Sequence, residues 1–353
     1  MKRLLVCLTF VLAIAGCGKK PVHIIYEGDP IVTDTFPGRI FIIASDPSST
    51  NLAIGFSDSL VMIWDPVERE PIKKIRRHRH IINDLAFSPD GILLAVASAD
   101  EVLTVNDLRR DQLVDSIVLF NGAVTSVDFS SDGRFMAAGF TGSEVEVWDV
   151  AKRERFGKFS GHTGVVTDLK FRPGTSELYT TGRDSLFYIA DVEDTVSFKS
   201  KQSYGYLTVI AFSPDGEYFA TGGTDKLVKG WRWVGEELHS VGWYQSDLGN
   251  VLDLVFLPDG SRMVAVDQEG QVVFLKRTEP VDTTKEKGLE SGGVFRLGIV
   301  EVGRFKAHDG AIRTCAISAD GTRLYTGGDD RTLKVWDTEA ILAQLKAKAP
   351  EEK

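Results

Sequence analysis

Cysteine is scarce in this 353-residue chain: there are three, Cys7, Cys17 and Cys315. The first two lie within and at the end of an apolar leader, so no disulfide framework can staple the remainder. Cys315 stands alone in an expected strand and reads as a small buried hydrophobe, not a reactive thiol. The apolar run of the leader, Leu4 to Ala13, is about ten residues, too short to cross a bilayer as a helix. Basic charge is in deficit. The net charge is −9, and about −11 without Lys2 and Arg3 of the leader. That balance argues against nucleic acid as a general partner, because binding it needs cations to replace counterions. No Gly-x-Ser-x-Gly elbow occurs. Gly222-Gly223 and Gly327-Gly328 read as strand and turn glycines, not phosphate loops. The histidines lack the cysteine or carboxylate spacing of a convincing metal site. The reading therefore includes no metal, no cofactor and no catalytic residue.

What is present is a unit of about 42 residues, seven times over. Its regular mark is Phe87-Ser88-Pro89-Asp90-Gly91, which returns as Phe129-Ser130-Ser131-Asp132-Gly133, Phe212-Ser213-Pro214-Asp215-Gly216 and Phe256-Leu257-Pro258-Asp259-Gly260. Weaker copies are Ile317-Ser318-Ala319-Asp320-Gly321, Phe171-Arg172-Pro173-Gly174 and Ser45-Asp46-Pro47-Ser48-Ser49. From Gly91 the glycine steps are 42, 41, 42 and 44 residues, and the last is 61, so an insertion lies there. Each unit reads as four short strands joined by turns rich in Gly and Asp, which tolerate positive φ or bond their own backbone. A period of this length built from alternating strands predicts an all-β, seven-bladed β-propeller. The blades span residues 22–338, and a ring closed on itself is expected to be monomeric.

Several third strands end in Trp-Asp, at Trp64-Asp65, Trp148-Asp149 and Trp336-Asp337. With these in-phase repeats the chain resembles the WD-repeat family over nearly all of residues 22–338. The resemblance implies a structural tetrad of His, Ser or Thr, Asp and Trp in each blade. His308, Thr326, Asp330 and Trp336 match it in full. His162, Thr180 and Asp184 match where Ala190 replaces the Trp, and Thr221, Asp225 and Trp231 match without the His. His78 with Asp100, and Asp58 with Trp64, are partial sets. Gly142 and Glu269 stand in the Asp place of the third and sixth units. A His–Asp–hydroxyl chain could be mistaken for a catalytic relay. A hydrolase needs one triad at one mouth, whereas these pieces recur blade after blade, as a buried network that fixes blade geometry would.

Closure needs a fourth strand for the last blade. The segment from Pro21 to Glu27 reads as that strand, so the N-terminus is expected to complete the ring and remove an open edge. Residues 339–353 read as a short helix or disordered tail. The leader Met1-Lys2-Arg3, its apolar run and the ending Ile14-Ala15-Gly16-Cys17 resemble a bacterial lipoprotein signal peptide (residues 1–16). In that family the Cys is acylated and becomes the first mature residue, which here implies Cys17. Residues 17–21 then form the anchor and a short linker. Gly18-Lys19, in place of an Asp after the Cys, implies the outer membrane, facing the periplasm, where the source has one, and otherwise the exterior of the cell membrane.

Three surface features remain. Lys73 to His80 is a dense basic cluster, read as a solvated outer strand and loop, or a site for anionic lipid headgroups or an acidic partner. Residues 279–293 are polar and aperiodic and read as an inserted loop. The resemblance implies recognition at the narrow top rim, where Phe41, Asn83, Arg183, Leu252, Arg313 and Asp329 are the candidate residues. The leading functional expectation is a non-catalytic scaffold for protein or peptide partners, tethered by lipid at the bacterial envelope. Alternatives are a lactonase-like propeller hydrolase and an accessory lipoprotein of outer-membrane protein assembly.

Overall fold

The computed structural model describes residues 24–118, 122–194, 199–202, 205–234, 237–245, 249–278 and 298–348. They form seven four-stranded antiparallel sheets, and the first strands of successive sheets neighbour one another around a closed ring. Blades one to six span residues 40–75, 82–118, 124–160, 166–202, 207–245 and 251–306 in order along the chain. Blade seven takes three strands from Ile312 to Asp337 and its outer strand from Val32–Thr35.

The repeated Asp-Gly turn has a physical cause. Ser88 Oγ donates to Asp90 Oδ1 at 2.6 Å and accepts the Leu93 amide at 2.9 Å. The same pattern recurs at Ser130 with Asp132, Ser213 with Asp215 and Ser318 with Asp320. The glycine that follows has φ of +69° at Gly91 and +71° at Gly133, a region in which a side chain is strained. Between blades the strands bury alternating aliphatic and aromatic residues. Cys315 is among them and is a free thiol.

All seven first strands carry the same irregularity. Their register against the second strand shifts once, between Ile40 and Ile42 in blade one and at the equivalent step in each other blade. Such a bulge leaves one residue unpaired and re-aims its neighbours. Phe41, Asn83, Thr125, Thr167, Thr208, Leu252 and Arg313 are the bulged residues, and all of them line the central channel.

The N-terminal part of the chain does close the ring, but through a different segment from the one expected. Val32 to Thr35 pairs antiparallel with Thr332 to Val335. Residues 21–23 lie outside the described residues. Ile25 instead makes a parallel bridge to Arg304 on the outer edge of blade six, with Tyr26 N donating to Arg304 O at 3.0 Å and Arg304 N to Ile24 O at 2.9 Å. Val32-Thr33-Asp34-Thr35 is short and mostly polar, with Asp34 its buried residue, so the sequence pattern does not mark it as the closing strand. Pairing of Asp34 with Arg69 (2.6 Å) also ties the closing strand to blade one. The C-terminal segment is a docked helix, α1 (Thr338–Lys348), with Ile341 and Leu345 fully buried against blade six. Residues 349–353, the 279–293 insertion, Cys7 and Cys17 lie outside the described residues.

Deleting residues 32–35 is expected to cost about 3 kcal/mol or more, at about 1 kcal/mol per net hydrogen bond of the lost ladder. Deleting residues 24–27 removes the bridge to Arg304, two hydrogen bonds to α1 and the packing of Ile24 and Tyr26, but no strand of a blade, and should cost less. Urea unfolding of the two deletions against the parent checks the order, and the reverse order would contradict this account of closure.

Candidate functional site

The tetrad residues meet in blade seven. His308 Nδ1 lies 2.9 Å from Asp330 Oδ2, its Nε2 lies 2.8 Å from Thr326 Oγ1, and Trp336 Nε1 donates to that same hydroxyl at 3.0 Å. Burial alone would raise the Asp330 carboxyl, but the bonds and charge of His308, with Thr332, hold it well below the usual carboxylate range. Blade four repeats the arrangement with His162, Asp184 and Thr180 at 2.9 Å each. There Ala190 leaves a small slot, and Tyr188 packs edge-on to the His162 ring. In blade five Trp231 Nε1 donates to Thr221 Oγ1 at 3.0 Å, and Asp225 pairs with Lys229.

The partial sets are rebuilt differently. In blade two Val96 stands where Thr326 stands in blade seven, and Thr104 of the third strand supplies the hydroxyl. His78 Nε2 lies 2.9 Å from Thr104 Oγ1, which also accepts from Asn106 Nδ2 at 3.1 Å. His78 Nδ1 lies 3.2 Å from Asp100. Burial pushes the His78 and His162 imidazoles down, against the pull of Asp100 and Asp184. In blade one no hydrogen bond joins Asp58 to Trp64. Phe36 fills the His place and packs edge-on to the indole at 5.1 Å. Ile54 fills the Thr place, and Trp64 Nε1 is buried without a partner. In blade six Asp267, which sequence reading passed over, caps the turn by accepting the Glu269 and Gln271 amides at 2.9 Å each.

The candidate rim residues do not form one free surface. Arg183 is exposed. Asn83 donates to Val124 O of the next blade at 2.7 Å. Arg313 is held by Asp329 in a two-point ion pair (3.0 and 2.9 Å), with its guanidinium over the Phe41 ring. Phe41 and Leu252 face the channel mouth. The bulge turns these side chains along the ring, towards the next blade, which strand alternation could not reveal.

Below the mouth lies a cavity of about 390 Å³. Its wall holds a relay of hydrogen bonds from blade to blade. Asp84 accepts the Val127 amide (2.9 Å), Asp168 the Ile210 amide (2.9 Å) and Asp253 the Cys315 amide (2.8 Å), while Ser126 and Thr314 accept those of Leu169 (3.3 Å) and Ile43 (3.1 Å). One layer deeper Asp128 accepts the Phe171 amide at 2.8 Å, beside Lys170. These groups sit deep among protein atoms, and Asp128, Asp168, Asp253 and Lys170 keep some contact with channel solvent. Burial pushes the carboxyls of Asp128 and Asp253 up to about 6 and that of Asp168 up to about 7. Burial would lower the Lys170 ammonium, but the surrounding carboxylates of Asp128, Asp84, Asp168 and Asp253 outweigh it and raise it. The repeat of polar residues 42 positions apart, Asp84 to Ser126 to Asp168, is the sequence signal that would have found this relay. Among the described residues no group of three or more His, Cys, Asp or Glu is placed to hold a metal ion.

A closed seven-bladed ring with buried His–Asp–Thr–Trp networks defines a class of repeat propeller. The WD domain, G-beta repeat model matches residues 69–107, 115–149, 153–191, 196–232 and 299–337, together more than half of the chain. The chain belongs to the WD-repeat family. It is 23% identical over 318 residues to the guanine nucleotide-binding protein subunit beta of Oryza sativa subsp. japonica, covering 85% of this chain and 80% of that one. It is also 23% identical over 219 residues to pre-mRNA-processing factor 19 of Bos taurus, covering 60% of this chain and 44% of that one.

Two measurements test these networks. His308→Ala is expected to cost about 1–3 kcal/mol, because it leaves buried partners unpaired. Trp336→Phe should cost about 1 kcal/mol more than Trp64→Phe, whose indole N–H has no bond to lose; equal costs would contradict the assignment. The channel supplies a pH test. The folded-state value of Asp168 lies above its unfolded value, so its contribution to stability is present at acid pH and is lost as pH rises from about 4 to about 7. Asp168→Asn should therefore destabilise more at pH 4.5 than at pH 8. A penalty that grows towards pH 8 would show that Asp168 is stabilised as the carboxylate.

Proposed function

We propose that this WD-repeat propeller is a non-catalytic scaffold that holds a protein or peptide partner at a bacterial envelope, tethered through an acylated Cys17. The observation that carries the scaffold reading is the use of the polar machinery: the three histidines of the tetrads are buried and bonded to Asp and Thr within their own blades. A group spent in this way holds blades together and is not poised on a substrate. The relatives support a protein partner in one case by name, as a subunit of a larger assembly. The anchor rests on Ile14-Ala15-Gly16-Cys17 after a short apolar run. Two or three acyl chains hold a protein stably at a membrane, where one is marginal. The outer membrane, facing the periplasm, is the favoured site because Gly18 follows the Cys.

On the rim, Arg183 is the favoured contact, because it is exposed, whereas Arg313 is held by Asp329. Cys17→Ser should leave an unprocessed or released protein on fractionation; a mature, lipid-free form still pelleting with membranes would sink the anchor. Affinity capture from envelope membranes with mass spectrometry would identify the partner. Arg183→Glu should change stability by less than about 0.5 kcal/mol while abolishing capture. Intact capture by Arg183→Glu, lost instead on changing the 73–80 cluster, would move the binding surface. Turnover of a lactone that His308→Ala kills without unfolding would overturn the scaffold reading itself.

A further inference from the structure

In every blade the turn between the second and third strands is tied to the residue just ahead of the first strand. Arg183 N donates to Val165 O and Thr224 N to Tyr206 O, at 2.9 Å each, and the same bond recurs in the other five blades. Fourteen residues are set around the top face in this way, as seven pairs. Most are small or partly covered, such as Ala99, Ala123, Val165 and Ala311. Only Arg39, Arg183, Tyr206 and Gln268 are both large and exposed. Arg39 stands on blade one, three blades from each of Arg183 and Tyr206. Gln268 is turned to Glu269, its Nε2 donating to Oε1 at 3.3 Å. Arg183 and Tyr206 are left, on the adjoining blades four and five.

Both stand on a fixed frame with their side chains unspent. Tyr206 O accepts from the Thr224 amide and hydroxyl, and Leu207 O, one residue on, accepts from Thr167 Oγ1 of blade four at 2.8 Å. The Tyr206 side chain is the one aromatic among the fourteen, and the residue is 53% exposed. The carboxylates of the two turns are engaged elsewhere. Asp184 accepts the Thr163 amide and lies against His162, at 2.9 Å each, and Asp225 pairs with Lys229. The Arg183 charge is therefore not met by its own turn. Gly164 and Gly205 lie close under these turns, where a Cβ would fall 3.0 Å from Asp184 N and 2.9 Å from Asp225 N, so backbone and not side chain borders the two residues.

A guanidinium holds a carboxylate by two parallel bonds. An exposed phenol ring offers an apolar face to an aliphatic or aromatic group. Sheets packed face to face lie about 10 Å apart, which is about three residues of an extended chain at about 3.3 Å each. Neither side chain is used by a neighbouring blade, so engaging them leaves the bonds between blades intact.

We propose that Arg183 and Tyr206 together read an extended peptide segment of the partner, Arg183 taking an Asp or Glu carboxylate and Tyr206 an apolar side chain three residues away along the segment. This deepens the reading of Arg183 as the rim contact and rests on it. The test pans the full-length protein, held in detergent micelles, against a phage library of random peptides. The parent should enrich peptides that carry Asp or Glu three residues from an aliphatic or aromatic residue. Arg183→Gln should lose the acidic preference and keep the apolar one, and Tyr206→Ala should do the reverse. A synthetic peptide of the parent's consensus should bind either variant at least about tenfold more weakly. Urea midpoints matching the parent's establish that both variants are folded. Loss of the acidic preference in Arg183→Gln, with Tyr206→Ala selecting as the parent does, would overturn the two-point reading and leave the Arg183 contact standing. No shared pattern, or one that neither variant alters, would overturn both. A dimer in sedimentation that Tyr206→Ala dissociates would place a second copy of the chain on this face and overturn the peptide.

Discussion

The structure depends on backbone amides that each first strand, as the inner edge of its sheet, leaves unpaired at the channel wall. A buried N–H without an acceptor is costly, so each must be met. In five of the seven steps the acceptor comes from the blade before, through Asp84, Ser126, Asp168, Asp253 and Thr314. The bond that satisfies a local defect is thus also the bond that joins one blade to the next. Where the preceding blade offers Ile42 or Val209 instead, the amides of Leu85 and Leu254 turn to the carboxylates of their own neighbours, Asp84 and Asp253, at 2.8 and 2.7 Å. The local defect is still satisfied, but at those two steps this bond no longer crosses between blades. Apolar packing helps carry the junction there, with Ile82 against Gly55 and Val251 against Gly222, too close for a side chain at either glycine, and between blades five and six Thr208 Oγ1 also donates to Val251 O at 2.6 Å.

The tetrads act further out, between the second and third strands and the turn that joins them. Their decay is informative. Blade two loses the second-strand hydroxyl and recovers it from Thr104 one strand over. Blade one loses both His and Thr and substitutes aromatics packed tilted and edge-on, Phe36, Phe56 and Trp64. Blade six keeps none of the set and retains the turn through Asp267. The demand common to all is a capped turn and a filled space, which several chemistries can meet. A catalytic constellation tolerates no such exchange, because its groups must face the same reacting atoms.

Much of this was legible in the sequence because its causes are local. The Asp-Gly turn needs an acceptor at one residue and positive φ at the next, so Gly91, Gly133 and Gly216 announce themselves. The full tetrad of blade seven and the Trp-Asp ends follow from spacing. What was not legible depends on partners far along the chain. Val32–Thr35 and the segment around Ile25 are both short, and only the free edges of blades six and seven decide which pairs where. The rim assignment rested on the family resemblance, in which first-strand residues face the upper mouth. The bulge sends Asn83, Thr167 and Thr208 to carbonyl groups of the following blade instead.

The same constraint narrows where a partner can act. The channel's carboxylates are already engaged by backbone amides, and Lys170 supplies an internal counter-charge among them. A ligand entering there would have to compete with bonds that hold adjacent blades together. Its binding would then be opposed by part of the stability of the ring. Side chains such as Arg183, on turns that no neighbouring blade uses, carry no such penalty. Recognition can vary on those turns while the relay beneath them keeps the ring closed.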